Sequence, residues 1–579
     1  MTTTAAYDEV FTDVAIVGSG GAGLMAVLHA HAADPDLDIT VISKGAVGRS
    51  GCTRMVQGGY NAVLSPMDSI ANHFDDTLDG GKYLNNQDLA WTLVNDAPKV
   101  IHELETKVGC FFDRADDGTI KQKAFAGQSF DRTVHRGDLT GIEIMARLRD
   151  QMFRVRPREL EDVRGLDLIR AADGSVAGLT CLNIKNGKFV VVRARVVVIA
   201  TGGAATMYKI AAPSREKTGD GVAMCVRAGL AVRDMEMMQF HPTGLLVGKA
   251  RMTGAVLEEG LRGAGAHLLN AHGERYMTKY DPVRMERSTR DVVSRSSYME
   301  IMAGRGTDMG GVLIDISHLG SAEVEKRFPG MVARTRQIGS DLATGPVEVS
   351  PTAHFHMGGA IIDPDCRTAV EGLLVAGEDA GGVHGANRLG GNGVAESTVF
   401  GCRAGDTAAV VARTREHPEI DIADVERAMA IAAAPLDRPE GILPFELTTR
   451  LKNVMWEHCG VVRNAEGLAA AIREIDTLEE QLALVSVPGP AAFNPAWNEA
   501  LDLQNQLSVA KIIVRTAALR TETRGAHARS DFPERDDSEW LKYLVATQTV
   551  DGSIDITERP VEFSRSARPA PEEAEVEQP

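Results

Sequence analysis

The 579-residue sequence contains no C-x-x-C pair; its seven cysteines, Cys52, Cys110, Cys181, Cys225, Cys366, Cys402 and Cys459, lie far apart. That spacing does not suit an iron–sulfur cluster or a structural zinc held by neighbouring ligands, so no metal site is expected. Odd in number and scattered, the thiols fit a reduced and mostly buried set. If electrons pass onward through clusters, another chain has to hold them. Nor is there an apolar run near the roughly 20 residues that a membrane span needs. The opening stretch Met1–Val10 is short and polar, with neither an Arg-rich nor an apolar signal region. A cytoplasmic chain is therefore expected, and any attachment to the membrane face would come through partner subunits. Lys and Arg form no cluster against a formal net charge of −18. A surface of that sign repels phosphate backbones, which argues against nucleic acid as a partner.

What is present is the composition of a folded chain, with 44% hydrophobic and 25% charged residues. The length exceeds what one core fills, so two to four structural units are expected. Glycine is abundant, 58 residues where about 7% is usual, as a backbone needs if it approaches a large ligand at many points. The most informative glycines come early. Thr12–Val17 is an apolar run of strand character, broken once by Asp13, and it leads into Gly18-Ser19-Gly20-Gly21-Ala22-Gly23. Leu24–Ala33 then reads as a helix and Ile39–Ser43 as a second strand. Strand, glycine turn, helix and strand within about 30 residues is the setting that the dinucleotide fingerprint requires. Gly18 permits the tight turn, Gly20 lets the backbone reach a pyrophosphate, and Gly23 lets helix and strand pack closely; Gly21 completes the candidate turn. The free N–H groups at the helix start face the phosphates. After the second strand, Ser43-Lys44 stands where an acid would bind a ribose, which weakens an NAD reading without removing the nucleotide.

A second stretch repeats the logic. Phe189–Ala200 is strand-rich and ends in Thr201-Gly202-Gly203. A buried parallel strand closing in a small glycine turn is where an α/β sheet presents its ligand crevice. Two such strand ends, so far apart in the chain, point to a cofactor longer than a mononucleotide, and Ala200, Thr201 and Gly202 join its candidate site.

Further motifs follow in order: Gln57-Gly58-Gly59, Thr218-Gly219-Asp220-Gly221, Gln239-Phe240-His241-Pro242-Thr243-Gly244, Arg290-Asp291-Val292-Val293, His354 before Met357-Gly358-Gly359, and His384-Gly385-Ala386-Asn387-Arg388-Leu389-Gly390-Gly391-Asn392. Arg524-Gly525-Ala526-His527-Ala528-Arg529 and the acidic stretch from Asp531 to Asp537 close the series. In these the chain resembles the flavoprotein subunit family of succinate dehydrogenase and fumarate reductase, with L-aspartate oxidase a near relative, from Asp13 to Val561. The resemblance implies an α/β fold: a Rossmann-like FAD-binding domain (1–236 and 350–412), an inserted α+β capping domain (237–349) and a C-terminal helical domain (413–535). Leu451–Leu484 and Trp497–Thr521 read as helices there. Residues 536–579 form a C-terminal segment whose end, 567–579, reads as a disordered acidic tail.

The same resemblance assigns roles. Glu378 and Asp220 contact the sugar portions of FAD. His241, His354 and Arg388 bind substrate carboxylates, Arg as a two-pronged donor and protonated His as a donor with charge. Arg290 transfers the proton, relayed by Glu259 and Arg262, whose i, i+3 spacing suits one helical face. The reaction implied is interconversion of a dicarboxylate and its unsaturated form, of fumarate/succinate type, by hydride transfer at FAD N5. The implied partners are membrane anchor subunits and a separate iron–sulfur subunit.

Two positions depart from the family pattern. Cys52 stands where many members carry the histidine bonded to FAD, so a non-covalent flavin of lower reduction potential is expected. Glu258 replaces the usual Thr before the relay glutamate and would repel a substrate carboxylate unless it is turned away or protonated. A substrate bearing an amino group suits it better. A single-chain oxidase of the L-aspartate oxidase type is therefore an alternative, although Phe125–Thr133 looks more like the reductase group. A third reading, a non-catalytic subunit that relays electrons through its flavin, is disfavoured because every proposed site residue is in place.

Overall fold

A computed structural model describes residues 7–567. The strand Tyr7–Val17 is the centre of the main sheet; Val14–Val17 have both faces covered, as the apolar run requires. It pairs in parallel with Ile39–Ser43 on one side and Phe189–Ile199 on the other. Arg158–Glu161 and Leu373–Val375 extend the parallel part, and Val176–Asn183 and Val163–Arg170 add an antiparallel wing. The strands ending at Val17, Ser43, Ile199 and Val375 all deliver their C-terminal ends to one edge, and the candidate cofactor residues lie just beyond them. The first helix, Gly21–Ala33, begins within the glycine turn, earlier than its apolar residues suggest.

A second, antiparallel sheet is built from Met238–Leu245, Val347–His356, Val312–Asp315 and His267–Leu269. It has a separate apolar core around Leu245, Leu261, Leu268, Val293, Ile314 and Val349. The helix Arg290–Glu300 packs there and presents Arg290 from its first turn.

Helices fill the C-terminal third. The stretch expected as one helical reading over Leu451–Leu484 is two helices, Pro444–His458 and Ala465–Leu482. The break falls at Gly460, and the Asn464 side chain caps the second helix by accepting from Gly467 N at 2.8 Å. The third, Pro495–Leu519, starts with an equivalent Asn494 cap on Trp497 N. The C-terminal segment is not featureless: Lys542–Gln548 and Ile554–Pro560 form a hairpin that pairs with Val232–Arg233. The expected acidic tail lies, beyond Ala567, outside the described residues.

One buried carboxylate ties two of the cofactor-edge turns together. Asp379, just after Val375 at the edge, accepts from Thr201 Oγ1 at 2.9 Å and from Gly202 N at 2.8 Å. Thr201 Oγ1 in turn accepts from Gly221 N at 2.8 Å, at the start of the helix Asp220–Arg227. Burial pushes the Asp379 carboxyl up from 3.8 to about 7, against the pull of its Gly202 and Thr201 hydrogen bonds. Between those two values the native state holds a proton that the unfolded chain has lost, so this group's contribution to stability falls as pH rises from 3.8 to about 7. Replacing Asp379 by Asn is expected to remove that slope: the Tm difference between variant and parent, followed by intrinsic fluorescence, shifts in the variant's favour across this window and is flat above it.

Candidate active site

The strand ends open into one cavity of about 650 Å³. Every site residue singled out in the sequence lines it except Gly23 and Arg262. Gly23 serves packing instead: a Cβ there would lie 2.0 Å from Gly18 O. Gly18 is held to glycine twice, by a φ of +111° and by a Cβ position 2.1 Å from Ala200 O. Gly21 N donates to Thr53 Oγ1 at 3.1 Å, and the Ser19 and Ser43 hydroxyls meet at 2.9 Å, fixing the turn against the second strand.

Several predicted cofactor residues are already partnered. Lys44 Nζ lies 2.8 Å from Asp220 and 3.1 Å from Asp502, the latter on the helix Pro495–Leu519. Asp220 is buried, which raises its carboxyl, but Lys44 and Arg164 outweigh burial and hold it well below the usual carboxylate range. Lys44 thus acts on this edge chiefly through Asp220, and Asp502 brings the helical part into the same network. Glu378 is ion-paired with Lys217 and accepts from His356 N at 2.8 Å; burial nevertheless keeps its carboxyl above the ordinary value. Lys217 carries no motif of its own, and its place one residue before Thr218-Gly219-Asp220-Gly221 was the only signal for it. Cys52 lines the cavity with its thiol pushed up by burial. Gly58 lies under the Phe125 ring, where a Cβ would be 2.3 Å from Cζ, and Gln57 Oε1 is a buried acceptor without a hydrogen-bond partner. A backbone cradle at the glycine turn, open acceptors and a long apolar-walled cavity fit a dinucleotide flavin.

The other residues of the wall form a charge network. Arg290 Nε donates to Glu259 Oε2 at 2.9 Å, and Arg262 Nη2 lies 3.3 Å from Glu259 Oε1. Arg262 sits behind the wall, donating Nη1 to Glu286 O at 2.7 Å and Ser288 O at 3.2 Å. Burial raises the Glu259 carboxyl, but Arg290 and Arg262 overcome it and hold it below its ordinary value, so it is ionised. Gln239, quoted in its motif without a role, is the residue that joins the two cavity arginines. Its Oε1 accepts from Arg290 Nη1 and from Arg388 Nη2, both at 3.1 Å, while its Nε2 donates to Asn387 Oδ1 and Arg388 O. Arg388 stacks 4.3 Å over Phe355, and burial with Arg290 beside it lowers it from 12.5 to about 9.

The two histidines correct an expectation. His241 and His354 face each other with ring centroids 5.3 Å apart. Burial, then the positive charge of Arg290, takes both well below their ordinary value, so they are neutral here rather than protonated. Both Thr243 N, at 3.3 Å, and Thr243 Oγ1, at 3.2 Å, face His241 Nδ1 and fix the orientation of the ring. Glu258 remains on the wall; Lys123 Nζ is 3.5 Å from its Oε1, and its Oε2 is buried without a hydrogen-bond partner. Burial raises this carboxyl despite Lys123.

Comparison with known proteins agrees with this geometry. The FAD binding domain family matches residues 13–394, and the fumarate reductase flavoprotein C-terminal family matches residues 448–575. The chain is 40% identical to one of the subunits of the fumarate reductase (CoM/CoB) of Methanothermobacter marburgensis, covering 93% of this chain and 97% of that one. It is 35% identical to the succinate dehydrogenase flavoprotein subunit of Coxiella burnetii, over 92% of this chain and 94% of that one. A solved variant of the Escherichia coli quinol fumarate reductase flavoprotein superposes with a TM-score of 0.92 at 33% identity, covering 97% and 98% of the two chains. The chain belongs to the fumarate reductase and succinate dehydrogenase flavoprotein family and is an FAD-dependent oxidoreductase.

Proposed function

We propose that the protein is a catalytic subunit that interconverts a dicarboxylate and its unsaturated form, of the fumarate/succinate type. The observation that carries this is Gln239 Oε1, where the guanidinium groups of Arg290 and Arg388 meet at the cavity wall. Two buried cations and two neutral imidazoles set around one space supply charge and N–H donors to two carboxylates. The sharing of Gln239 orients both guanidinium planes before substrate arrives. FAD, when bound along the glycine turn and the Gln57–Gly59 segment, supplies the hydride exchange.

In the reducing direction Arg290 gives an N–H proton to the substrate carbon. An arginine with a pKa above about 12 is a poor base in water, so it must be reloaded at once. Glu259, ionised at rest and in contact with both arginines, takes up a proton relayed from solvent by way of Arg262 and passes it to the deprotonated Arg290, which returns Glu259 to its ionised state. Arg388 anchors one substrate carboxylate through its fork, with His354 and His241 donating beside it. The antiparallel sheet carries His241 and His354 and the helix beside it carries Arg290; of the proposed domain boundaries at 236/237, 349/350 and 412/413, the second falls within the strand Val347–His356 and the third within the helix Asn392–Thr414.

A second reading is favoured by Glu258. A buried carboxylate with one oxygen unpaired suits a substrate amino group, as an oxidase of the L-aspartate type would need. The seven scattered thiols offer no local cluster ligands, so a separate iron–sulfur subunit, with membrane anchor subunits beyond it, is proposed from the family resemblance. Relatives named as subunits support that arrangement. No helix among the described residues is long and apolar enough to cross a membrane.

Three outcomes are expected. Arg290→Lys loses turnover with fumarate by a factor on the order of 10²–10⁴, the usual weight of a positioned proton donor, while flavin content is unchanged; parent-like turnover contradicts the role. Acid precipitation leaves a colourless pellet and free FAD in the supernatant, since Cys52 replaces the bonding histidine; a yellow pellet contradicts non-covalent binding. Supplying L-aspartate and oxygen yields no peroxide, and turnover with peroxide would select the oxidase reading instead.

A further inference from the structure

Away from the cavity, three helices bring together a set of groups that the flavin chemistry leaves unused. The first helix, Gly21–Ala33, contributes His29; the helix Gln87–Glu103 contributes its last residue; the helix Asn392–Thr414 contributes Cys402 and, one turn on, Asp406. One ligand atom from each of His29, Glu103 and Cys402 lies within 4.8 Å of the other two. The geometry points to a divalent transition-metal site of the zinc class, with His29 Nε2, Cys402 Sγ and Glu103 Oε2 as its ligands.

The arrangement around His29 is what a metal-binding imidazole needs. Asp406 Oδ1 is 3.0 Å from Nδ1 and accepts its proton, which leaves Nε2 for a metal. Nε2 is buried and makes no hydrogen bond, although Glu103 Oε2 is 3.4 Å away. A tetrahedral zinc holding nitrogen and oxygen at about 2.0–2.1 Å separates them by roughly 3.3–3.4 Å along the tetrahedron's edge. The observed 3.4 Å matches that edge, so the two atoms can share a metal without moving apart. Glu103 divides its oxygens: Oε1 faces the exposed Lys107 at 3.4 Å, and Oε2 is left for the cluster. Directly after Glu103 the chain leaves α geometry for a π-helical turn at Leu104–Val108, the kind of irregularity that often marks a functional position. His29 and Glu103 are partly exposed, so an ion has a way in, while Cys402 is buried and shielded. A thiolate, an imidazole and a carboxylate select zinc over magnesium or calcium. Such an ion would clamp the helix that begins at the dinucleotide turn to the helix that follows Arg388, binding cofactor and substrate elements from behind. The sequence gives no hint of it, because the ligands come from positions 29, 103 and 402 and share no local spacing.

The test uses the flavin-loaded protein, dialysed against a chelator and titrated with cobalt(II). One equivalent is expected to bind, giving ligand-field bands in the red, where oxidised flavin does not absorb, and a thiolate charge-transfer band in the difference spectrum. Cys402→Ser should abolish the charge-transfer band, with flavin content and Tm confirming that it is folded. Asp406→Asn, a change at an exposed side chain, should weaken cobalt binding by about 10–100-fold. Absence of saturable uptake, or a spectrum in Cys402→Ser identical to the parent's, would overturn the site; an unchanged affinity in Asp406→Asn would do the same for the orientation of His29.

Discussion

Three buried guanidinium groups, of Arg262, Arg290 and Arg388, stand close together; burial and the charge of Arg290 lower Arg262 and Arg388, and the carboxylate of Glu259 is what draws the group together. Arg262 and Arg290 grip it from two sides, and Arg388 is joined to Arg290 through Gln239 Oε1. Removing one partner from a buried ion pair costs about 3–5 kcal/mol, because the other is left uncompensated. The helix Arg290–Glu300, the segment Glu258–Arg262 and the loop carrying Arg388 are therefore coupled by charge before any substrate enters. The net positive balance at the wall is the feature that the proposed dicarboxylate substrate would complete.

That balance also explains the histidines. With Arg290 and Arg388 already charged, a further proton on His241 or His354 would have to be placed in the same dry space, and burial alone resists it. Each imidazole contributes an N–H instead of a charge, with Thr243 orienting the ring of His241. Glu258 is the counterweight. Its charge is taken up partly by Lys123, so the departure from the family pattern does not dismantle the site; it adds an acceptor to one part of it.

Local chemistry made half of this legible. The turn at residues 18–23 and the strand Ile39–Ser43 could be read residue by residue, because glycine conformations and apolar runs act over short range. Nearly every candidate site residue read from the sequence lies on the cavity wall, and the family confirmed the fold and cofactor. Other features depend on burial and on partners distant in sequence. Gln239, Lys217 and Asp379 owe their roles to groups that meet only in the folded chain, and the neutrality of the histidines follows from burial beside arginines that sit far from them in the chain. The break at Gly460 was hidden because both flanking helices share apolar spacing, and the C-terminal hairpin because its edge strand is exposed and polar.

The direct test of the proposal that the cavity takes unsaturated dicarboxylates is a single turnover without electron partners. The flavin is reduced anaerobically with dithionite, excess reductant is removed, and the protein is mixed with fumarate in a stopped-flow spectrometer. Reoxidation of the flavin with one succinate formed per FAD is the predicted result. A flavin that stays reduced at saturating fumarate, yet is reoxidised by another acceptor, would contradict the assignment of this wall to fumarate-type substrates.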